Sequence, residues 1–459
     1  MQTPIDRRTM LRRMSNGFGS VVLANLLGSE RLFSATLGPH FPGKAKRVIF
    51  LFLNGGLSQV DTFDHKPVLQ KYHGKPMPTE NPKTESVTGN LLGSPFQFRK
   101  RGQSGLAISD LFSQLGEFAD DMCVIRSMQT DRPAHDASFF LMSTGHNLAG
   151  RPSMGAWITY GLGVENQDLP SFVVLCPGLP TVGPQLWGSS FLPGKHQGTH
   201  VVNSEVAPEK LIPNVRNTKI SADSQRKQLD FLSKLNRDHS QRHAQDPQLE
   251  SAIATMETAY RMQTEAMDAF DIRKESENTR EQYGDSHFGR GCLLARRLVE
   301  RGVRMVQIFT GPGQPWDSHD DIMDHKKLCK DADPAISSLI RDLKTSGLLD
   351  ETLVILGGEF GRTPAAEISA VVKVQNGRDH NSLGFSTVLM GGGIKGGMAY
   401  GATDDFGYRA VENPVHVHDL HATVLHQLGF DHTRLTYRYG GRDFRLTDVE
   451  GNVVKAIVS

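Results

Sequence analysis

The chain predicts an α/β fold, a three-layer α/β/α sandwich around a mostly parallel central sheet. Three observations carry that expectation. The run Val48-Ile-Phe-Leu-Phe-Leu53 is apolar without alternation and closes on Asn54-Gly55-Gly56, the pattern of a strand buried on both faces. From Cys292 onward, helix-like and strand-like segments alternate, which is how parallel sheets covered by helices are built. The 46 glycines and 23 prolines among 459 residues supply the many loops that such a sheet needs.

In chain order, residues 1–38 read as an address. Arg7 and Arg8 form a twin-arginine pair ahead of a weakly apolar run from Met14 to Leu27. A charged segment before a short apolar one is a signal peptide, and Ser15, Asn16, Gly17 and Gly19 keep the run from spanning a bilayer. The expected partner there is the twin-arginine export machinery, and the expected location the periplasm or the extracellular space. Residues 39–459 are then expected to form one domain. Its first strand is Arg47–Leu53, followed by strands at Met122–Ile125 and Ser171–Leu175. Residues 222–285 are polar, lack glycine until Gly284, and place Leu229, Leu232 and Leu235 at helical spacing, so a helical insertion is expected. Beyond it come a helix at Cys292–Glu300, a strand at Val303–Phe309, a helix at Ala335–Leu343 and strands at Thr352–Leu356 and Ser386–Met390. A helix at Asp419–Leu428, with Asp419 as its N-cap, closes the series.

Lys plus Arg total 51 against 50 Asp plus Glu, and no basic stripe points to nucleic acid. Cys123, Cys176, Cys292 and Cys329 form no C-x-x-C pair and read best as buried thiols. No stretch is long and apolar enough for an integral membrane span.

Ligands of parallel sheets sit at the carboxyl ends of strands, and there the chain gathers one kind of chemistry. The first strand leads to Asn54, Asp61 and Asp64. Val303–Phe309 leads to Asp317 and His319, and Thr352–Leu356 to Gly358-Glu359-Phe-Gly-Arg362-Thr-Pro364. Gly377-Arg378-Asp379-His380 precedes the next strand. Carboxylates with imidazoles are a donor set for a divalent cation such as zinc, manganese or calcium. Arg362 and Arg378 suit an anionic ester.

The order of these motifs resembles the alkaline phosphatase and sulfatase superfamily, and most closely the bacterial domain-of-unknown-function 1501 family. The motifs are Asn54-Gly-Gly…Asp61-Thr-Phe-Asp64, Arg151-Pro-Ser, Phe191-Leu-Pro…Gln197-Gly, Trp316-Asp-x-His319, Gly358-Glu-Phe-Gly-Arg-Thr-Pro364, Gly377-Arg-Asp-His380 and Asp419-Leu-His-Ala-Thr. The resemblance implies an alkaline-phosphatase-like domain. It also shows departures from sulfatases. Glu359-Phe360 stand where a metal-binding Asp-His pair is expected. His135 stands at the nucleophile position and Phe139 at the partner arginine, so no cysteine is present to mature into formylglycine. His421 and His426 fall in a segment that resembles a structural helix.

Together these readings give an exported metal-dependent hydrolase of phosphate, sulfate or related esters. Its substrate would be an anionic ester on a small molecule or a polymer. The metal set is Asn54, Asp61, Asp317, His319, Glu359, Asp379 and His380, and the catalytic set His135, Arg362 and Arg378. The alternative is a non-catalytic exported binding or assembly protein with a degenerate site. Replacing Arg7 and Arg8 with lysine is expected to leave the protein in the cytoplasm. Cell fractionation checks this, and unchanged periplasmic delivery would refute the signal.

Overall fold

Burial along the first strand sets the architecture. In β1 (Arg47–Phe52), Val48, Phe50 and Phe52 enter one apolar core while Ile49 and Leu51 enter another. Successive strand residues point to opposite faces, so a strand without alternation must be covered on both. The computed structural model describes residues 38–79, 84, 86–211, 221, 223–224, 226–228, 230–232, 234–235, 267–369 and 373–459. Arg7, Arg8 and most of the expected insertion at 222–285 lie outside them. Within that insertion Met267–Phe270 and Glu277–Tyr283 are helical, and Leu232 and Leu235 are exposed.

The central sheet of Pro39–Ser459 also contains β3 (Met122–Gln129), β4 (Phe172–Leu175), β5 (Thr199–Val201), β6 (Met305–Phe309), β7 (Thr352–Gly357), β10 (Phe385–Met390), β11 (Met398–Tyr400) and β12 (Val415–His416). Its order is β11-β3-β10-β7-β1-β6-β4-β5, with β12 also on β3. Every pairing is parallel except those of β10, which is antiparallel to β3 and β7. The carboxyl ends of β3, β1, β6 and β7 therefore share an edge with the amino end of β10. A second sheet, of β2 (Val87–Leu91), β8 (Gly361–Ile368) and β9 (Arg378–Asn381), is antiparallel. The sequence reading did not foresee it.

Helices close both faces. On one lie α1 (His135–Thr144), α2 (Met154–Leu162) and α5 (Val417–Gln427). On the other lie α3 (His287–Glu300) and α4 (Asp324–Thr345), and each set belongs to one of the two cores. The Ser153 of Arg151-Pro-Ser caps α2 by accepting from Ala156 N at 3.2 Å, a standard N-cap bond. Helix α4 starts well before the expected Ala335 and carries Pro334 inside it. An internal proline costs about 3 kcal/mol. The face formed by Cys329, Ala332, Ile336, Leu339, Ile340 and Leu343 is buried against the sheet and outweighs that. Asp419 is at the third position of α5 and not its N-cap. It accepts from His416 N at 3.0 Å, in a capping box whose N-cap is His416. All four cysteines are free and buried. Among the described residues no helix is long and apolar enough to cross a membrane.

Three buried histidines act as packing elements. His325 accepts from Ser58 N and bonds Ser318 Oγ, both at 3.1 Å. His421 donates to Met142 O at 2.9 Å, joining α5 to α1, and His196 packs edge-on to Tyr160. Burial above all lowers each to about 3, against 6.5 in an unfolded chain. Between those values the unfolded state binds more protons. Stability is therefore complete above about pH 6.5 and declines as the pH falls toward 3. His421→Gln is expected to reduce that acid slope by up to about 1.4 kcal/mol per pH unit, read from urea unfolding between pH 6 and 4.

Candidate metal centre

The strand ends bring their loops close enough to lock together. Gly55 has φ +120°, and a Cβ there would lie 2.6 Å from Asp317 N and 2.7 Å from Trp316 N. Gly377 approaches the same loop from the other side, where a Cβ would lie 2.0 Å from His319 O. Trp316 N donates to Asn54 O and Arg378 N to Ser318 O, both at 3.1 Å. The loop carrying Asp317 and His319 is thus held between β1 and β9.

Four side chains converge there. The ligand atoms of His135, Asp317, His319 and His380 all lie within 4.8 Å of one another. Asp317 Oδ1 is 3.2 Å from His135 Nε2, 2.8 Å from His319 Nε2 and 3.2 Å from His380 Nε2. The Nε2 atoms of His319 and His380 are 2.9 Å apart. Two imidazole nitrogens this close need a shared proton or a cation between them. Three nitrogens and one carboxylate oxygen form a donor set of the kind that transition metals take, so the residues present fit a divalent cation.

Two carboxylates stand behind the rings. Glu359 Oε1 is 2.7 Å from His135 Nδ1, and Gly55 N donates to both Glu359 oxygens at 3.0 and 3.2 Å. Glu367 bonds His319 Nδ1. Burial works against charge throughout, yet the hydrogen bonds of Asp317 and Glu359 outweigh it and push His135 up to about 9. Burial likewise opposes a charge on His319, and the bond to Asp317 raises it nonetheless. For Asp317, burial is overcome by the three imidazoles and Arg362, which hold it far below the usual carboxylate range. His380 goes the other way: burial lowers it to about 4 in spite of Asp317, with Arg362 and His135 adding to the effect.

The remaining expected site residues lie outside the four-residue cluster, Arg362 bonding to it, and have partners of their own. Asn54 is not in the four-residue cluster. Its amide donates to Gly311 O at 3.0 Å and Gly313 O at 2.7 Å, and its oxygen accepts from Thr310 N and Oγ1. Asp61 is fully buried against Arg378, whose Nε and Nη2 reach its two oxygens at 2.7 and 3.2 Å. Neither of that pair is in the four-residue cluster. Arg362 is also fully buried. It bonds Asp317 Oδ1 at 2.5 Å and gives its other donors to the carbonyls of Gly55, Gly56, Trp316 and Arg378. Both guanidiniums are thus buried, with each nitrogen already bonded to a protein atom. Asp379 accepts from Ser86 N at 3.0 Å and joins His319 and Glu367 in a second, adjacent group of ligand types. Sequence reasoning missed Glu367. The one signal was a carboxylate five residues beyond Arg362 in a segment not read as a strand.

The model of the family described as "Protein of unknown function (DUF1501)" matches residues 45–458. The chain belongs to the DUF1501 family. Solved structures similar to this DUF1501 protein include Ps i-CgsB, 9% identical over 84% of this chain and 72% of that one, with a TM-score of 0.37. Another is a protein in the alkaline phosphatase superfamily from Vibrio parahaemolyticus, at 10% identity over 86% and 70%, TM-score 0.36. A third is the alkaline phosphatase of the Antarctic bacterium TAB5, at 11% identity over 84% and 97%, TM-score 0.32. The search of curated proteins finds no match.

The Asp61–Arg378 pair yields a direct test within this DUF1501 protein. Asp61→Asn leaves a buried guanidinium unneutralised and is expected to cost about 3–5 kcal/mol of stability. Metal content per folded molecule should be unchanged. Equilibrium unfolding and elemental analysis check both, and loss of metal at full stability would make Asp61 a ligand after all.

Proposed function

We propose that this DUF1501 protein is an exported metal-dependent hydrolase of phosphate, sulfate or related esters. The observation that carries the reading is the convergence of His135, His319 and His380 on Asp317 Oδ1. A cation bound there would lower the pKa of a water and polarise an ester oxygen. Calcium takes six to eight oxygen ligands. A site with three nitrogens suits zinc or manganese better.

The chain's own residues supply the rest. His135 is the first residue of α1, and no side chain caps that helix end. A helix N-terminus favours negative charge, which suits an anionic ester beside the cluster. His135 Nδ1 is held by Glu359, so only Nε2 is left to ligate or to accept a proton. Residues 1–38 would carry the folded protein through the twin-arginine pathway to the periplasm or beyond, with its metal already in place. A second reading, an exported binding protein with a degenerate site, is favoured by one observation: Arg362 and Arg378 are both sealed from solvent.

Purified protein is expected to retain zinc or manganese, and His380→Ala to lose it. His426→Ala should keep it, because that ring packs against Phe41 at 5.0 Å, outside the cluster. Aryl phosphate mono- or diesters should turn over with added metal and stop turning over with chelator. His135→Ala should slow this at least about tenfold. No turnover across phosphate, phosphonate and sulfate esters with several metals would leave the binding-protein reading in its place.

A further inference from the structure

We infer that Glu359 and Glu367 are positioning residues that fix the rings of His135 and His319, so that both Nε2 atoms face one point. The inference rests on the metal reading above and concerns the residues behind the cluster. In both rings the division of labour is the same. Nδ1 meets a glutamate, Glu359 for His135 and Glu367 for His319. Nε2 faces Asp317 Oδ1, at 3.2 and 2.8 Å. An Nδ1–H donated to a carboxylate leaves the lone pair on Nε2, the form a metal-ligating imidazole needs.

The burial of the two glutamates supports this assignment. Glu359 is 0% and Glu367 4% exposed, and a buried carboxylate is costly unless a partner compensates it. Among the described residues their ion pairs are with His135 and His319 alone. Neither is matched to an arginine or lysine, so their place in the fold is tied to the imidazoles. Glu359 is held in turn by Gly55 N, which couples the end of β1 to the orientation of His135. Glu367 projects from β8, a strand paired with the β9 that carries His380. Each glutamate thus links a ligand to a different element of the scaffold.

The test titrates Co²⁺ and Zn²⁺ into metal-stripped wild type and into Glu359→Gln, Glu359→Ala, Glu367→Gln and Glu367→Ala, using a competing chromogenic chelator. Visible absorption reports the Co²⁺ geometry. Each variant is expected to bind about 10- to 100-fold more weakly than wild type, with altered Co²⁺ bands and the same stoichiometry. Glutamine still accepts the Nδ1–H, so it should lose less than alanine; if an alanine variant fails to fold, the glutamine variant decides. Wild-type affinity and spectrum in folded variants would overturn the positioning role and leave the metal reading standing. No metal bound by wild type would remove the metal reading and this inference together. Two ions in wild type and one in Glu367→Gln would make Glu367 a ligand, with Asp379, of a second cation, and overturn its positioning role.

Discussion

One carboxylate oxygen organises the loop edge of this sheet. Asp317 Oδ1 meets three imidazoles and the Arg362 guanidinium. These groups would repel one another in a buried volume if all were charged. Electrostatic energies rise steeply as water is excluded, so a single negative charge here decides which neighbours keep protons. Against burial it lifts His135, with Glu359, and His319, whereas at His380 burial outweighs it, with Arg362 and His135 adding to the fall. The backbone follows the same constraint. Asp317 can reach all of them because Gly55 and Gly377 let three loops pack without side chains between them.

The two buried arginines make that crowding rigid. Arg362 ties the carbonyls of Gly55, Gly56, Trp316 and Arg378 to Asp317. Arg378 ties Thr363 O to Asp61, which also accepts from Ser58 Oγ at 2.5 Å. A planar guanidinium with five donors can satisfy several carbonyls at once, which suits a place where loops meet without regular pairing. They hold the site's shape from behind, and the charge of Arg362 reaches the cluster through Asp317.

The central sheet was legible because its signal is local. Runs such as Val48–Leu53 and Thr352–Leu356 are apolar on both faces, and their boundaries fall within a residue or two of the strands. Asp317, His319 and Glu359 were legible for a related reason: parallel strands place their carboxyl ends on one edge, so residue type and position suffice to nominate them; His380, on β9 of the antiparallel sheet, was nominated by residue type and its place before β10. What was not legible depends on pairing between distant segments. The β2-β8-β9 sheet forms from short polar strands with a register shift between Arg362 and Ala366, and neither composition nor period marks it. Asp61 and Arg378 are 317 positions apart, and their pairing can be read from neither segment alone. Glu367 was invisible because its meaning comes from His319 and not from its own neighbours in sequence.

His135 is held from two sides. It stands at the start of α1, but its ring is committed on both sides: Glu359 holds Nδ1, and Asp317, His319 and His380 surround Nε2. One lone pair on Nε2 cannot both bind a cation and accept a proton or attack an ester. If His135 were to ligate, it could serve neither as base nor as nucleophile, and a hydrolysis would have to rely on water. If it were not to ligate, His319, His380 and Asp317 would remain as three donors, the number catalytic metal sites use. In either case a cation entering the cluster must displace the protons that hold it together without metal. A cation bound there would take the place of protons as the positive charge opposite Asp317. The same Asp317 charge serves each of them.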